Sequence, residues 1–189
     1  MYIYKELSYD THQKMGDRLY QVGTISIQQG KEERHATTPA PMGPAMQQEY
    51  AGIEKTTRLM NAFEDDKTLV QFTEKDEIRS FYETGAFFAD SNFFQLFSYD
   101  FAEGNAQGAL ANPNSVVISQ EIAQKIFGRE AALNKVIHIN STTNGAHDFR
   151  VTGVFIPSKA PSHINARFFM SMQGGAVGNW VRNLTDIGK

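Results

Sequence analysis

The five histidines are the side chains of this sequence that are best suited to bind a metal ion or to move a proton near neutral pH. They are His12, His35, His138, His147 and His163, and no two of them stand three or four residues apart. The helical zinc motif His-Glu-x-x-His is therefore absent. We expect these histidines to be solvated or locally hydrogen-bonded, and a site assembled from distant histidines and carboxylates stays open.

A second group that could bind a metal ion is the carboxylate run Glu64, Asp65 and Asp66, which Lys67 follows. Calcium takes about six to eight oxygen ligands on a patterned loop, and this run has no such pattern, so it predicts a turn. The sequence also lacks a phosphate loop and a nucleophile elbow. It has no Cys, which excludes disulfides, thiolate zinc sites and iron–sulfur clusters. We therefore predict no catalytic, cofactor-binding or metal-binding residue.

Aromatic pairs recur at Phe87-Phe88, Phe93-Phe94 and Phe168-Phe169. Two adjacent aromatics on a strand point to opposite faces, so one ring of such a pair can meet a partner or an apolar cargo. We choose Phe93, Phe94 and Phe97 as a candidate partner or substrate surface, because they lie on one predicted helix. Packing of all three in the core is the competing interpretation, and it is the favoured one.

Composition restricts the class of protein further. The net charge of −3 and the isoelectric point of about 5.9 show none of the basic excess that a nucleic-acid-binding protein carries. No apolar run approaches the roughly 18 residues that a membrane span needs. The first seven residues lack the basic start and apolar centre of a signal peptide. We expect this chain to be soluble, without nucleic acid as a partner.

The pattern of apolar residues predicts an α+β fold with mixed or antiparallel sheets and helices on one face. Helices are predicted over 4–20, 41–50, 90–97 and 119–127. The third would have Asp90 or Ser91 as its cap, and the fourth would begin at the cap Ser119 and end at Gly128. Strands are predicted over 20–28, 53–60, 69–72, 78–82, 116–118, 136–139, 149–155 and 167–172. Turns are predicted at 63–67, 101–105 and 142–146, and the segment from Gly174 onward shows no clear period.

Several segments, in order, resemble those of MacB/FtsX-like ABC-transporter permeases. Residues 6–10 and 17–22 resemble the segment that directly follows the first membrane helix of that family. Residues 37–45 (TTPAPMGPA) are similar to its Thr/Pro-rich helix entry, and residues 89–98 (ADSNFFQLFS) to its Asp-x-x-Phe-Phe helix. Residues 114–128 and 149–155 (FRVTGVF) resemble two further family segments. Only the Gly that the family usually has before Lys135 is missing, and this affects the geometry of one turn.

The resemblance implies two subdomains on the periplasmic side of the bacterial inner membrane. Residues 1–88 would begin a porter-like subdomain, 89–157 would form an inserted α+β subdomain, and 158–189 would return toward the porter-like part, apparently truncated. The chain would be one part of a longer permease whose membrane helices lie outside it.

The implied function is non-catalytic: the domain would couple ATP hydrolysis in the cytoplasm to export or release of a substrate in the periplasm. Its implied partners are the permease's own membrane helices, a cytoplasmic ABC ATPase, a second permease copy and a periplasmic adaptor. Two alternatives stay open. One is a periplasmic ligand-binding or sensor module for peptide or lipid, and the other is a hydrolase with a site assembled from distant residues.

Overall fold

The structure, a computed structural model, describes residues 9–62, 68–75, 77–142 and 144–183. Its strands are β1 Thr24–Gln28, β2 Lys31–His35, β3 Leu59–Asn61, β4 Thr68–Glu74, β5 Glu77–Glu83, β6 Ala86–Ala89, β7 Asp100–Gly104, β8 Ser115–Ser119, β9 Val136–Ser141, β10 Gly145–Ile156 and β11 Phe168–Ser171. Its α-helices are α1 Met42–Glu49, α2 Phe93–Leu96, α3 Gln120–Phe127 and α4 Gly175–Asn183. The predicted α+β class is confirmed.

Among the described strands, β1 and β2 form a separate hairpin, and the other nine form one sheet in the order β3-β6-β11-β8-β10-β9-β4-β5, with β7 also paired to β10. The sheet is mixed, because β10 is parallel to β8 and β11 is parallel to β6. Strands from each of the predicted segments 1–88, 89–157 and 158–189 hydrogen-bond within this sheet. The assignment of those segments to two subdomains stays a prediction.

The sheet buries both faces in its centre, and the alternation of side chains along each strand decides which core receives them. In β8, Val116 and Ile118 pack into the larger core cluster, whereas Val117 packs into the smaller one on the opposite face. Helices α3 and α4 contribute to the larger cluster and α2 to the smaller one. The expected placement of helices on one face therefore holds for α3 and α4 and does not extend to α2.

Helix α3 forms where its local signals predict it. The hydroxyl of Ser119 accepts a hydrogen bond of 3.3 Å from the backbone nitrogen of Ile122, which satisfies one free donor of the first turn. Gly128 ends the helix with a positive φ of 67°, a conformation that glycine adopts without strain. The strand predictions in 69–72, 78–82, 116–118, 136–139 and 149–155 are likewise confirmed within β4, β5, β8, β9 and β10.

The helix predicted over 4–20 is wrong in its described part. Residues 9–20 form turns and a short 3-10 helix, Gly16–Arg18, while 4–8 lie outside the described residues. Asp10 has a φ of 55°, which a right-handed helix does not allow, and its backbone nitrogen donates to the carbonyl of Pro161 at 2.9 Å. A distant contact thus replaces the helical hydrogen bonds.

Other predictions fail in smaller ways. The predicted turn at 101–105 is largely strand β7, and the segment after Gly174 forms α4. The strand predicted over 53–60 contracts to β3, and the one over 20–28 contracts to β1. The N-cap of α2 is Asn92, without a side-chain cap, so the predicted caps Asp90 and Ser91 are wrong. The predicted turn at 63–67 lies outside the described residues.

Candidate functional site

The smaller core is an aromatic cluster that joins α2 to the centre of the sheet. The ring of Phe93 lies 4.7 Å from that of Phe169 on β11, and Phe94 lies 5.3 Å from the same ring. Tyr99 stands at 5.2 Å from Phe169 and at 5.3 Å from Phe155 on β10. These pairs have tilted or edge-to-face arrangements, the geometries that stabilise aromatic contacts by about 0.5–1.5 kcal/mol each beyond simple burial. We call these residues, with Phe97 and Phe101, the aromatic cluster.

The three residues predicted as a partner or substrate surface belong to this cluster. Phe93 is 0% exposed and Phe94 is 7% exposed, whereas Phe97 is half-buried and stacks on Phe93 at 4.7 Å. Of these three residues, Phe97 therefore exposes the largest part of its surface to solvent. A role of this helix as a contact surface stays a prediction.

Arg58 and Asp90 fix the start of α2. Asp90 accepts hydrogen bonds from the backbone nitrogen of Arg58 at 2.8 Å and from two nitrogens of its guanidinium at 2.9 and 2.7 Å. The guanidinium also donates to the carbonyl of Ala40. The hydrogen bond to Asp90 is the main cause that raises the pKa of Arg58. The Asp90 carboxylate therefore ties the α2 region to the segment after α1.

The first described residues of the chain reach the aromatic cluster through Gln13. This side chain is 7% exposed, and its Oε1 accepts a hydrogen bond of 2.6 Å from the backbone nitrogen of Ser98. The backbone nitrogen of Lys14 donates to the hydroxyl of Ser98 at 3.2 Å. Two adjacent residues near the start of the chain thus bind one residue between α2 and Tyr99.

Asp10 makes a second link, to the segment between β10 and β11. Its Oδ1 accepts a hydrogen bond of 2.6 Å from the hydroxyl of Ser162, and its Oδ2 lies 2.6 Å from Nδ1 of His163. The ring of Tyr9 lies 4.6 Å from that of His163. We call Tyr9, Asp10, Gln13 and Lys14, with Ser98, Ser162 and His163, the N-terminal clasp.

Electrostatics connect the clasp with the aromatic cluster. Burial by itself raises the pKa of Asp10, but the hydrogen bonds from Ser162 and His163 outweigh burial and hold that pKa below its usual value. Burial raises the pKa of Tyr99, and the negative charge of Asp10 raises it further. Asp10 is therefore a carboxylate at neutral pH, and Tyr99 is a neutral phenol.

Asp10, Ser162 and His163 are also the residue types of a nucleophilic triad, so their geometry bears on the hydrolase alternative. In a triad the serine hydroxyl donates to the histidine, and the carboxylate binds the other ring nitrogen. Here Ser162 and His163 both bind Asp10. The hydroxyl proton of Ser162 points to a carboxylate that is already engaged, and this arrangement does not activate the serine toward a substrate.

Within the described ranges, no three side chains of His, Asp or Glu are placed to hold one metal ion. The described helices include none with the length and apolar character needed to cross a bilayer.

The family model for MacB-like periplasmic core domains matches residues 2–185. The chain belongs to this family. The predicted resemblance is thereby confirmed, and this MacB-like domain is a periplasmic ectodomain of an ABC transporter permease. No match is found among curated protein sequences.

Two solved structures share the fold of this MacB-like domain, and a third is only weakly similar. A domain described as part of a permease protein from Porphyromonas gingivalis is 21% identical with a TM-score of 0.58, over 79% of this chain and 60% of that one. The periplasmic region of MacB from Actinobacillus actinomycetemcomitans is 14% identical with a TM-score of 0.50, over the same shares. The extracellular domain of the noncanonical transporter YknZ from Gram-positive bacteria is 14% identical with a TM-score of 0.37, over 60% of this chain and 54% of that one. The MacB-like domain thus spans about 60% of the length of the first two structures.

The N-terminal clasp of this MacB-like domain was not predicted as a site. Asp10 and Ser98 stand in segments that resemble the family, but nothing in the sequence pairs either residue with its partner in the clasp. Asp10 and Ser162 are 152 residues apart, and Gln13 and Ser98 are 85 residues apart. Local periodicity carries no information over such distances, and only correlated changes among related sequences would have indicated these pairs.

Proposed function

We propose that this domain is a non-catalytic coupling element, which transmits ATP hydrolysis by a cytoplasmic ABC ATPase to export or release of a substrate in the periplasm. The observation that carries the proposal is the N-terminal clasp. Its residues Tyr9–Lys14 belong to the segment that, in the resemblance, follows the first membrane helix. A displacement of that helix would pass through this segment first.

The contacts of the clasp suit the transmission of displacement. The link of Gln13 to Ser98 is short and is buried on the Gln13 side, and Ser98 directly precedes Tyr99 of the aromatic cluster. Asp10 holds the segment between β10 and β11 through a side-chain carboxylate and a backbone nitrogen. Hydrogen bonds to a charged group are roughly twice as strong as neutral ones. A pull on the segment would therefore move two parts of the domain together.

Coupling of this kind requires a bistable assembly rather than a catalytic residue. We propose two permease copies, each with its own membrane helices, acting with the ATPase, and a periplasmic adaptor as the outer partner. Residues 1–88, 89–157 and 158–189 would then be the porter-like part, the inserted part and the returning part, and movement of the two copies relative to each other would be the output.

The experiment uses the whole permease with its ATPase in membranes and needs no known substrate. A spin label at Asn112→Cys, an exposed position, reports the distance between the two copies with and without ATP. We expect ATP to change this distance, and we expect Asp10→Ala combined with Gln13→Ala to reduce the change while ATP hydrolysis continues. Asp17→Ala with Gln124→Ala is the matched control, since both positions are exposed. A distance that ATP leaves unchanged in the unmodified protein would contradict the proposal.

A second candidate function, a ligand-binding or sensor module, is favoured by one specific feature. Helix α1 borders an open concavity of about 540 Å³, lined by Met42, Ala45, Met46, Glu49, Tyr50 and Ile53. Methionine side chains adapt to irregular apolar ligands. The aromatic pairs expected to line such a cleft are instead packed mainly in the two cores, so a peptide or lipid would bind at α1.

A further inference from the structure

Strand β5 forms an edge of the nine-stranded sheet and offers its outer side for pairing. In the described part of the chain, β4 is the strand that pairs with β5, and none pairs with its other side. The β4–β5 register runs without a shift from Thr68 opposite Glu83 to Glu74 opposite Glu77. β5 is therefore a regular seven-residue edge, whereas the opposite edge, β3, has three residues.

Most of the devices that normally protect such an edge are missing on β5. Proteins block edge strands with proline, bulges or free charged side chains. β5 contains no proline, and its pairing with β4 has no bulge. Of its three charged residues, Arg79 donates to the carbonyl of Ile126 and Glu83 is held by Lys125 and Arg167 at 2.5 Å each, whereas Glu77 is exposed at the start of the strand.

The side chains of β5 on the open face of the sheet are apolar at both ends and small in the centre. Ile78 is 64% exposed and Tyr82 is 67% exposed, and Ser80 lies between them. Two antiparallel copies of β5 with Ser80 opposite Ser80 would place Ile78 of each copy opposite Tyr82 of the other. A β-branched residue opposite an aromatic is a stabilising cross-strand pair.

The other face of β5 is complementary in the same register. Arg79 would stand opposite Phe81 of the second copy, whose ring already has Lys125 over it at 5.1 Å, so this pair adds contact area without a new cation–π contact. Glu77 would stand opposite Glu83, whose carboxylate is already balanced by Lys125 and Arg167. One carboxylate and two cations leave a net positive cluster, so the exposed Glu77 of the other copy meets attraction rather than repulsion.

We propose that β5 pairs with β5 of a second copy of this chain, antiparallel and centred on Ser80. The inference rests on the proposed function in one respect, since a transporter would hold two copies close together. A single pair of seven-residue strands buries less than the roughly 1,200 Å² of a stable interface. The pairing is therefore transient for separate molecules and becomes effective when both copies are tethered in one membrane assembly.

Disulfide cross-linking tests the pairing with single-residue resolution, because the chain contains no cysteine. The protein is the whole permease in membranes, with the introduced cysteine as its only one. Ser80→Cys brings two Cα atoms to about 4.5–5.5 Å, within the range of a disulfide. Ile78→Cys alone separates them by about 14 Å, and Gln71→Cys, which lies opposite Ser80 on β4, by about 15 Å.

We expect rapid oxidative dimerisation of Ser80→Cys, none of Ile78→Cys or Gln71→Cys alone, and dimerisation when Ile78→Cys and Tyr82→Cys copies are mixed. Glu77→Lys should slow the cross-linking of Ser80→Cys at least several-fold, whereas Glu33→Lys, an equal charge change on β2, should not. Equal rates at positions 80 and 71, or a cross-link to a different protein, would overturn the proposal.

The ATP-dependent distance at Asn112→Cys is a separate measurement, so failure of the strand pairing and failure of the coupling give different results.

Discussion

The side-chain oxygen of Gln13 accepts a hydrogen bond of 2.6 Å from the backbone nitrogen of Ser98, across 85 residues of sequence. The contact is buried on the Gln13 side, and it places the start of the described chain against the aromatic cluster. A partly buried backbone donor that loses its acceptor keeps part of the cost of its desolvation. This one hydrogen bond therefore matters for the stability of the domain as well as for the proposed coupling.

Gln13→Ala should lower the free energy of unfolding by about 1 kcal/mol, because it leaves the partly buried Ser98 nitrogen without its acceptor. Denaturant unfolding of the isolated domain, followed by circular dichroism, measures the change. Gln124→Ala removes the same side chain from an exposed position of α3 and should change stability by less than about 0.5 kcal/mol. Equal effects of the two substitutions would mean that the Gln13 contact does not bear on stability.

Asp10 should make stability depend on pH on the acid side. Its pKa is lowered in the folded protein, so its contribution is present above the unfolded value of about 3.9 and is lost as the pH falls through the lower folded value. Ser162→Ala removes a hydrogen bond that lowers this pKa, and it should flatten the acid-side loss. Unfolding midpoints between pH 2 and pH 7 test this, with Ser91→Ala as the control. An unchanged profile in Ser162→Ala would contradict the assignment.

The sequence predicts those elements whose signals are local. Ser119 and Gly128 mark the two ends of α3, and both act on neighbouring backbone groups. Strand β2 has no such signal, because its residues Lys31–His35 are all polar or charged. It becomes a strand by pairing with β1 across Gln29 and Gly30, whose φ values of 51° and 80° form the tight turn that joins such hairpins.

The candidate site was less predictable than the fold. The sequence predicts that Phe93 and Phe94 lie on one helix, but their burial depends on β10 and β11, which follow them in the chain by some 60 to 75 positions. The clasp depends on pairs at still larger separations, such as Asp10 with Ser162. Helix α4 was missed for the same reason, since its start is fixed by Asn144, whose Oδ1 accepts from the backbone nitrogen of Val177.

Glu83 should be the carboxylate of β5 that matters most for stability. Its side chain is 0% exposed and contacts Lys125 and Arg167, which are themselves 42% and 33% exposed. Glu83→Gln would leave two cations without their shared partner. Loss of one partner of a fully buried pair costs about 3–5 kcal/mol, and the partial exposure of the cations reduces our expectation to about 2 kcal/mol. Glu77→Gln, exposed on the same strand, is the control, and an equal effect there would contradict the role of the pair.

The glycine of the family-like segment FRVTGVF, Gly153, stands where the structure leaves no room for a side chain. A methyl group at this position would lie 2.6 Å from a ring carbon of Phe101, which covers β10 from β7. Gly153→Ala should therefore lower the free energy of unfolding by about 1–3 kcal/mol through overpacking. Gly52→Ala, with no atom within 4 Å of the added carbon, should leave stability nearly unchanged. Restoration of stability by Phe101→Leu in the Gly153→Ala background would identify the ring as the cause, and a stable Gly153→Ala protein would refute the overlap.

Ligand binding at the concavity beside α1 distinguishes the two candidate functions. If it binds apolar ligands, lysophosphatidylcholine below its micellar concentration should bind saturably, and Met46→Glu should weaken binding at least tenfold, because a carboxylate then enters an apolar site at a large desolvation cost. Gln48→Glu adds the same charge to a part of α1 that does not line the concavity, and it should leave binding unchanged. Titration calorimetry on the isolated domain measures both. Absence of saturable binding to the unmodified domain would contradict a lipid-sensing role at this position, and the ATP-dependent distance change in the full permease would then decide on coupling alone.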